Sequence, residues 1–321
     1  MKITSLLLIG TGLLLFQKLN FQSNQKFPNE VKHLLTITSL HKDTLFDAYD
    51  FSVNSQGNIY ITDQIENCIK VFDKNGKLIN KFGKQGKGNS EFNTIGEIAV
   101  SPNFIAVADY TSSRIQIFSI DFKYIRTIYA QGVVFDLAFD SEECLWVAAN
   151  TGKKNKSLFQ YAKESNRILQ IIPLKYSSGI PFKDFFSLAI SKDGYIIVAY
   201  RVINKIEIWN RSGTFVRDFK IPGLKDEADY KKISTGLFSS TKVPEGLIVK
   251  NCSVDSMCNI FLIGAHYSEK PFQDIYVMNI DGELINKITM PDKIWKIIGI
   301  DKNNLYLIVE KRNMIKKYLL K

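Results

Sequence analysis

The 321-residue sequence predicts an all-β fold, a β-propeller of six blades with four antiparallel strands each. The first observation is a repeat over residues 51–82, in which four alternating apolar runs are separated by short turns rich in Gly and Asn. The second is that this repeat returns five more times along the chain. The third is that the last copy is one strand short, while an unassigned strand-like segment, VKHLLTIT, precedes the first copy.

Each copy of the repeat predicts one blade. Apolar runs of period two, bounded by turns such as SQGN and KNGK, are typical of strands joined by tight hairpins. Because the sixth copy ends at Lys321 after its third run, we expect VKHLLTIT to supply the missing strand and to close the propeller without an exposed edge. The copies begin at Phe51, Ile98, Leu137, Leu188, Cys252 and Ile298.

The first 27 residues differ in character from the repeats. Lys2 precedes an apolar run over residues 3–16, and a polar segment follows, which is typical of an export signal. The run is shorter than the roughly 18 residues of a spanning helix, and it lacks the usual small-residue cleavage site. We therefore predict a signal peptide or an uncleaved membrane anchor over residues 1–27 and the propeller over residues 28–321. The protein is then exported, to the periplasm or the cell surface.

The charge balance favours anionic partners. The chain has 42 Lys and Arg against 32 Asp and Glu, a net charge of +10. Export argues against nucleic acid, which leaves a protein or an acidic polysaccharide as the partner. The sequence also lacks a phosphate-binding Gly-rich loop, a Gly-x-Ser-x-Gly elbow and a dinucleotide fingerprint. We therefore predict a binding protein without catalytic residues or a required cofactor.

Two of the four cysteines are close in sequence. Cys252 and Cys258 flank a predicted hairpin, and in an oxidising compartment they could form a disulfide across it. The alternative is two separately buried thiols. The spacing of the cysteines and histidines does not match a zinc site.

Several motifs resemble the NHL-type six-bladed propellers of the TolB-like superfamily, in particular exported bacterial proteins. They are GNIYITD from Gly57, IKVFDKNG from Ile69, FGKQGKG from Phe82, and AVAD followed by RIQIF in the second blade. The resemblance implies the fold and a binding role more firmly than any reaction. It also implies that Asp63 and Asp109 hold the following loops by accepting backbone hydrogen bonds. In the later blades the matching positions are Ala149, Tyr200, Gly264 and Val309.

Aligning the six first strands brings polar residues to one position near the upper end of the bore. Converging carboxylates repel unless they are protonated, hydrogen-bonded or neutralised by a cation, and oxygen ligands suit Ca²⁺ or Mg²⁺. One hypothesis is therefore a divalent-metal hydrolase similar to the lactonase-type propellers, and the other is that each carboxylate ties neighbouring blades through backbone N–H groups. The aligned residues are Asp50, Glu97, Asp136, Ser187, Asn251 and Ile297. The candidate metal ligands are Asp50, Glu97, Asp136 and Asn251.

The upper face, where the first strand of each blade begins, has the longer predicted loops and many basic residues. Long loops on a rigid scaffold often carry binding groups, although a solvated basic loop is an equal alternative here. The segment from Gly223 to Gly246 is either a cover over the upper opening or a variable loop. The candidate binding residues on this face are Lys84, Lys87, Lys153, Lys154, Arg201, His266, Lys311 and Arg312.

Overall fold

The computed structural model describes residues 30–38, 47–151, 156–174, 176, 185–236, 239–264, 272–301, 304–309 and 312–321. These residues form strands joined by turns and loops. The closing strand and the first two blades contain β1 (Val31–Thr38), β2 (Ala48–Val53), β3 (Ile59–Asp63), β4 (Cys68–Phe72), β5 (Leu78–Phe82), β6 (Lys84–Gln85), β7 (Glu91–Phe92), β8 (Ile95–Val100), β9 (Phe104–Asp109), β10 (Arg114–Ser119) and β11 (Tyr124–Tyr129).

The third, fourth and fifth blades follow in chain order. They contain β12 (Val133–Phe139), β13 (Leu145–Asn150), β14 (Lys156–Tyr161), β15 (Ile168–Pro173), β16 (Phe186–Ile190), β17 (Ile196–Tyr200), β18 (Ile206–Trp209), β19 (Phe215–Phe219), β20 (Tyr230–Gly236), β21 (Ser239–Pro244), β22 (Val249–Val254), β23 (Ile260–Gly264), β24 (Asp274–Met278) and β25 (Leu284–Thr289). The sixth blade contains β26 (Ile294–Asp301), β27 (Asn304–Val309) and β28 (Met314–Leu320).

Six four-stranded antiparallel sheets form the blades, as the repeats predict. The first strand of each blade is the innermost one. The inner strands β2, β8, β12, β16, β22 and β26 each contact the next, and β26 contacts β2, so the ring is closed. The chain is therefore a six-bladed propeller with its inner strands around a central bore.

The closing strand lies where the sequence predicts it. β1 pairs antiparallel with β28, from Val31 opposite Leu320 to Thr38 opposite Met314. The last sheet has the order β1, β28, β27, β26, so its outer strand comes from the opposite end of the described chain. This pairing joins the two ends of the repeat array and removes a sheet edge.

The hydrophobic core is divided among the contacts between blades. Six clusters of buried side chains each lie between two neighbouring blades, the one between the sixth and first blades being built around Phe51 and Tyr306. On the lower face, tight turns join the strands, and glycine occupies turn positions where the backbone is left-handed. Gly57 and Gly76 both have φ of +84°, a left-handed conformation that glycine adopts without strain.

An insertion follows the fourth blade on the upper face. Its two strands, β20 and β21, pair as an antiparallel hairpin. The backbone N–H of Ala228 donates to Val202 at 2.8 Å, and that of Glu245 donates to Asp229 at 2.8 Å. The described residues of the segment from Gly223 to Gly246, predicted as a cover or a variable loop, thus contain a hairpin anchored to the fourth blade.

The predicted disulfide is absent, because Cys252 and Cys258 are free thiols. Cys252 lies within β22 and pairs with Leu262, whereas Cys258 lies in the turn and its Sγ is 3.2 Å from Oδ2 of Asp193. The prediction was wrong because the hairpin register does not place the two cysteines opposite each other. The alternative of two separately buried thiols holds in part: the thiols are separate, but only Cys252 is buried, and Cys258 is partly exposed.

No helix in the described part of the chain has the length and apolar character needed to cross a membrane. The predicted leader, residues 1–27, lies outside the described residues.

Candidate functional site

Most inner strands have an irregularity next to the position at which one residue of the blade lies in the bore. In five blades the pairing of the first two strands shifts at this place, as between Ala48 and Asp50 or between Ile294 and Lys296. Such a bulge turns the strand and redirects its side chains. The residues at the equivalent position are Asp50, Glu97, Asp136, Ser187, Asn251 and Lys296.

The sequence alignment was wrong by one residue in the sixth blade. It predicted Ile297 at the bore position, but Lys296 pairs with Ile308 as Asp50 pairs with Thr62 in the first blade. The reason is a second irregularity in β26, between Ile298 and Ile300, which adds a residue that the other blades lack. The bore position of the sixth blade therefore belongs to Lys296 and not to the apolar Ile297. Its ammonium group lies among acidic residues.

Lys296 joins two of the acidic residues across the bore. Its Nζ lies 2.6 Å from Oδ1 of Asp50 and 4.0 Å from Oδ1 of Asp136. Oδ2 of Asp136 accepts from the Ser187 hydroxyl at 2.8 Å, and Ser187 in turn accepts from Nδ2 of Asn251 at 2.9 Å. We call Asp50, Lys296, Asp136 and Ser187 the bore network.

The same residues tie the blades together through the backbone. Oδ2 of Asp50 accepts from the N–H of Ile98 in the second blade at 3.0 Å, and Oδ2 of Asp136 accepts from the N–H of Leu188 in the fourth at 2.9 Å. Ser187 contacts the N–H of Cys252 in the fifth blade at 3.4 Å. For Asp50 and Asp136, the interpretation as ties between inner strands therefore describes the geometry.

The predicted metal ligands do not assemble into a metal site. Among the described residues, no three His, Cys, Asp or Glu side chains are grouped so that they could hold a metal ion. Burial lowers the pKa of Lys296, but Asp50, Asp136 and Glu97 raise it more, so the net shift is upward and the ammonium stays charged. The protein thus places its own cation between Asp50 and Asp136.

Glu97 has a different environment from the other bore carboxylates. Its Oε1 accepts hydrogen bonds from the hydroxyls of Tyr110 and, at 3.4 Å, Tyr49, and the two tyrosine hydroxyls are 2.5 Å apart. Tyr110 can approach because a Cβ at Gly96 would lie 2.8 Å from its ring. Oε2 of Glu97 is buried without a partner. Burial raises the pKa of Glu97 to about 8, with Lys296 and Tyr110 opposing that shift.

A small cavity lies above Lys296 at the upper end of the bore. We call it the upper pocket. Its volume is about 90 Å³, and three of its residues have buried side-chain atoms without a partner: Oε2 of Glu97, Nε of Arg201 and Oδ1 of Asn251. The pocket is lined by Tyr49, Glu97, Arg201, Leu247, Lys250, Asn251, Trp295 and Lys296.

Cations and aromatic rings alternate at the mouth of the upper pocket. Nζ of Lys250 lies 4.1 Å from the ring centre of Trp295 and 4.4 Å from that of Phe272. The Arg312 guanidinium lies 5.3 Å from the Trp295 ring centre and 5.5 Å from that of Tyr49. Cation–π contacts of this kind orient the charged groups.

Arg201 is oriented by its backbone. Its N–H donates to Phe185 at 2.8 Å, and its carbonyl accepts from Ile248 at 2.7 Å and Val249 at 3.2 Å. These bonds hold Arg201 between the end of β17 and the start of the fifth blade.

A second cavity, the lower pocket, lies below Lys296 and measures about 160 Å³. Asn251 and Lys296 line both cavities and so form the floor of one and the roof of the other. Of the described residues that line the lower pocket, only Asn251 has a buried side-chain atom without a partner.

The other described residues that were predicted on the upper face do not line the upper pocket. Arg312 forms an ion pair with Asp47, and Nζ of Lys84 lies 3.3 Å from Oε1 of Glu91. Lys87 is exposed on the crossing between the first two blades. The predicted residues Lys153, Lys154, His266 and Lys311 lie outside the described part of the chain.

Both motif aspartates accept backbone hydrogen bonds, but only Asp63 holds the following loop, as the resemblance implies. Asp109 instead holds the segment that precedes β8. Asp63 accepts from the N–H groups of Ile65 at 3.0 Å and Glu66 at 3.3 Å, and its Oδ2 is 2.8 Å from Nζ of Lys70. Asp109 accepts from the N–H groups that begin the second blade, including that of Thr94 at 3.0 Å.

Sequence reasoning missed five residues of the upper pocket: Tyr49, Lys250, Trp295, Lys296 and Leu247. Position in the sequence could have identified Tyr49, Lys250 and Trp295. Tyr49 and Lys250 each directly precede an aligned bore residue, and Trp295 directly precedes Lys296. The bulge turns this preceding residue toward the upper opening.

Comparisons with solved structures give the fold alone. A member of the DUF4221 family from Bacteroides vulgatus is 15% identical, with a TM-score of 0.60 over 92% of this chain and 99% of that one. A catalytically inactive virginiamycin B lyase from Staphylococcus aureus, with quinupristin, is 13% identical, with a TM-score of 0.59 over 91% of this chain and 100% of that one. Hydrazine synthase from Kuenenia stuttgartiensis is 10% identical, with a TM-score of 0.56 over 87% and 97%.

No curated protein matches the sequence. The profile of one family, DUF5128, described as a 6-bladed beta-propeller, matches residues 43–228, more than half of the chain. This agrees with the closed ring of blades described above. The chain belongs to this family of six-bladed β-propellers.

Proposed function

We propose that this propeller is a binding protein that holds an anionic partner on its upper face without chemistry of its own, and that the partner is an acidic polysaccharide. The observation that carries the proposal is the lining of the upper pocket. Three cationic side chains, Arg201, Lys250 and Lys296, face one small cavity at the mouth of the bore. The one carboxyl group among them, Glu97, has its pKa raised to about 8 by burial and so is largely uncharged near neutral pH.

The state of the bore carboxylates favours binding over hydrolysis. Asp50 and Asp136 are buried and already accept hydrogen bonds from backbone groups, with Lys296 between them. A divalent ion would have to displace this ammonium before either carboxylate could coordinate it. The lactonase-like alternative therefore requires a rearrangement that the binding function does not.

We propose further that the protein is an exported propeller of the NHL-like type. The motifs around Asp63 and Asp109 support an NHL-like, TolB-like propeller, and the segment from Lys2 to Phe16 supports export to the periplasm or cell surface. Acidic polysaccharides are partners available in those compartments. An acidic protein offers the same charge, and the experiment below separates the two.

The test is a binding measurement with the full chain. We expect polygalacturonate to bind at least about tenfold more tightly than dextran, and less tightly as salt is raised. Lys250→Gln should weaken binding by about tenfold. Lys123→Gln is the matched control, because Lys123 is exposed in a turn of the opposite face and the charge change is the same.

Two outcomes contradict the proposal. One is that no acidic polysaccharide binds while poly-glutamate does, which would make the partner an acidic protein. The other is that Lys123→Gln weakens polygalacturonate binding as much as Lys250→Gln, which would reduce the effect to net charge.

A further inference from the structure

The upper pocket contains buried polar groups as well as cationic side chains. Its unpartnered buried atoms comprise one donor, Nε of Arg201, and two oxygens, Oε2 of Glu97 and Oδ1 of Asn251. Glu97 and Asn251 are each only 3% exposed. Buried polar atoms require hydrogen-bond partners, and these three atoms belong to side chains that line the cavity.

The groups in this pocket suit a ligand that has both an anionic group and a group that forms hydrogen bonds with the two oxygens. Arg201, Lys250 and Lys296 favour an anion, whereas Glu97 and Asn251, which line the same cavity, each have a side-chain oxygen without a partner. An ammonium group would satisfy both oxygens but would be repelled by the three cations. A hydroxyl group can accept a hydrogen bond from protonated Glu97 while it donates one to Asn251.

The geometry points to a subsite for a hydroxylated carboxylate: we propose that the carboxylate lies against Arg201 and the adjoining hydroxyl lies between Glu97 and Asn251. The class of ligand is a sugar acid, such as the uronic acid at the end of an acidic polysaccharide. This inference rests on the proposed function and names the group that the upper face recognises.

The size of the cavity limits how much of the ligand enters. A volume of about 90 Å³ takes several groups of the size of water, which suits a carboxylate and its neighbouring hydroxyl. The Lys296 ammonium and Asn251 close the floor, so a chain cannot thread further down the bore. The pocket therefore recognises an end group or a projecting acid rather than the middle of a buried chain.

The experiment measures the affinity of the full chain for small probes by calorimetry. We expect galacturonate to bind, and galactose, which lacks the carboxylate, and acetate, which lacks the hydroxyl, to bind at least about tenfold more weakly. Arg201→Lys keeps the charge but removes Nε, and it should reduce galacturonate affinity by about tenfold. Arg217→Lys, on an exposed arginine of β19, is the matched control and should leave affinity unchanged.

The outcomes separate this inference from the proposed function. If galacturonate and acetate bind equally, or Arg201→Lys has no more effect than Arg217→Lys, the hydroxylated-carboxylate subsite is overturned. If polygalacturonate still binds in a manner sensitive to Lys250→Gln, the proposed function stands in that case. If neither the polymer nor the monomer binds, both fail.

Discussion

The bore network and the upper pocket meet at Lys296, yet they differ in how completely their polar atoms are paired. In the network, both oxygens of Asp50 and of Asp136 accept hydrogen bonds, from backbone N–H groups and from Lys296 or Ser187. In the pocket, Glu97, Arg201 and Asn251 each retain a buried atom without a partner. Equivalent positions of one repeat can therefore be structural in one blade and available to a ligand in the next.

The difference follows from the groups that lie beside each carboxylate. Asp50 and Asp136 each have a backbone N–H within 3.0 Å from another blade. Glu97 instead contacts tyrosine hydroxyls, which bond Oε1 and leave Oε2 without a partner. A fully paired buried group stabilises the fold, whereas an unpaired one costs stability that a ligand can recover.

The largest effect should come from breaking the network at its cation. Lys296→Met leaves Asp50 and Asp136 buried without their ammonium, and removing one partner of a buried ion pair costs about 3–5 kcal/mol. Urea unfolding should show this loss in the free energy of unfolding. A second variant, Asp50→Asn in the Lys296→Met background, should recover part of it, and a Lys296→Met protein as stable as the wild type would show that the network does not support the fold.

A smaller effect should appear in the pH dependence of stability. Between its usual pKa of about 4.5 and the raised value of about 8, Glu97 keeps its proton in the folded state but loses it in the unfolded state. Stability should therefore fall as pH rises through this window. Glu97→Gln has no proton to lose, so its stability should change less between about pH 5 and pH 8, by up to a few kcal/mol. Identical pH profiles for both proteins would contradict the burial of Glu97 as a neutral acid.

Removing the hydroxyl of Ser187 should have a moderate effect. Ser187→Ala takes a hydrogen bond from Asp136 and from Asn251, and buried groups left unpaired cost about 1–3 kcal/mol. Arg201→Lys in the upper pocket should change the free energy of unfolding by less than about 0.5 kcal/mol, because Nε of Arg201 has no partner to lose. Equal losses for the two variants in thermal or urea unfolding would remove the distinction between the regions.

The smallest effect is expected from metal ions. Because Lys296 lies between Asp50 and Asp136, calcium or a chelator should leave the melting temperature unchanged. The measurement is thermal unfolding with added calcium and with EDTA. A calcium-dependent rise that Asp136→Asn abolishes would instead support the metal hypothesis for the bore.

The fold was predictable from the sequence because it depends on local patterns. Period-two runs and Gly-containing turns indicate strands and hairpins, and the missing last strand indicates that VKHLLTIT closes the ring, as the pairing of β1 with β28 confirms. Asp63 was also predictable, since its motif implies the loop contacts that the structure shows.

The site was predictable only in part, because it depends on bulges and on unpaired atoms. Alignment found the bore position in five blades but missed Lys296, since an additional irregularity in β26 shifts the register by one residue. Lys250 and Trp295 carry no motif, and they line one cavity with Arg201 although the three residues belong to different blades and lie far apart in sequence. The Cys252 and Cys258 pairing failed for a similar reason, because spacing in sequence does not specify hairpin register.

The most direct test of the account is a crystal structure of the protein grown with galacturonate. The account predicts the carboxylate within hydrogen-bond distance, about 2.7–3.2 Å, of Nε of Arg201 and a hydroxyl between Oε2 of Glu97 and Oδ1 of Asn251, with Lys296 still beside Asp50. It would be contradicted if the upper pocket held only water while galacturonate bound elsewhere, or if Lys296 had turned away and a metal ion lay between Asp50 and Asp136.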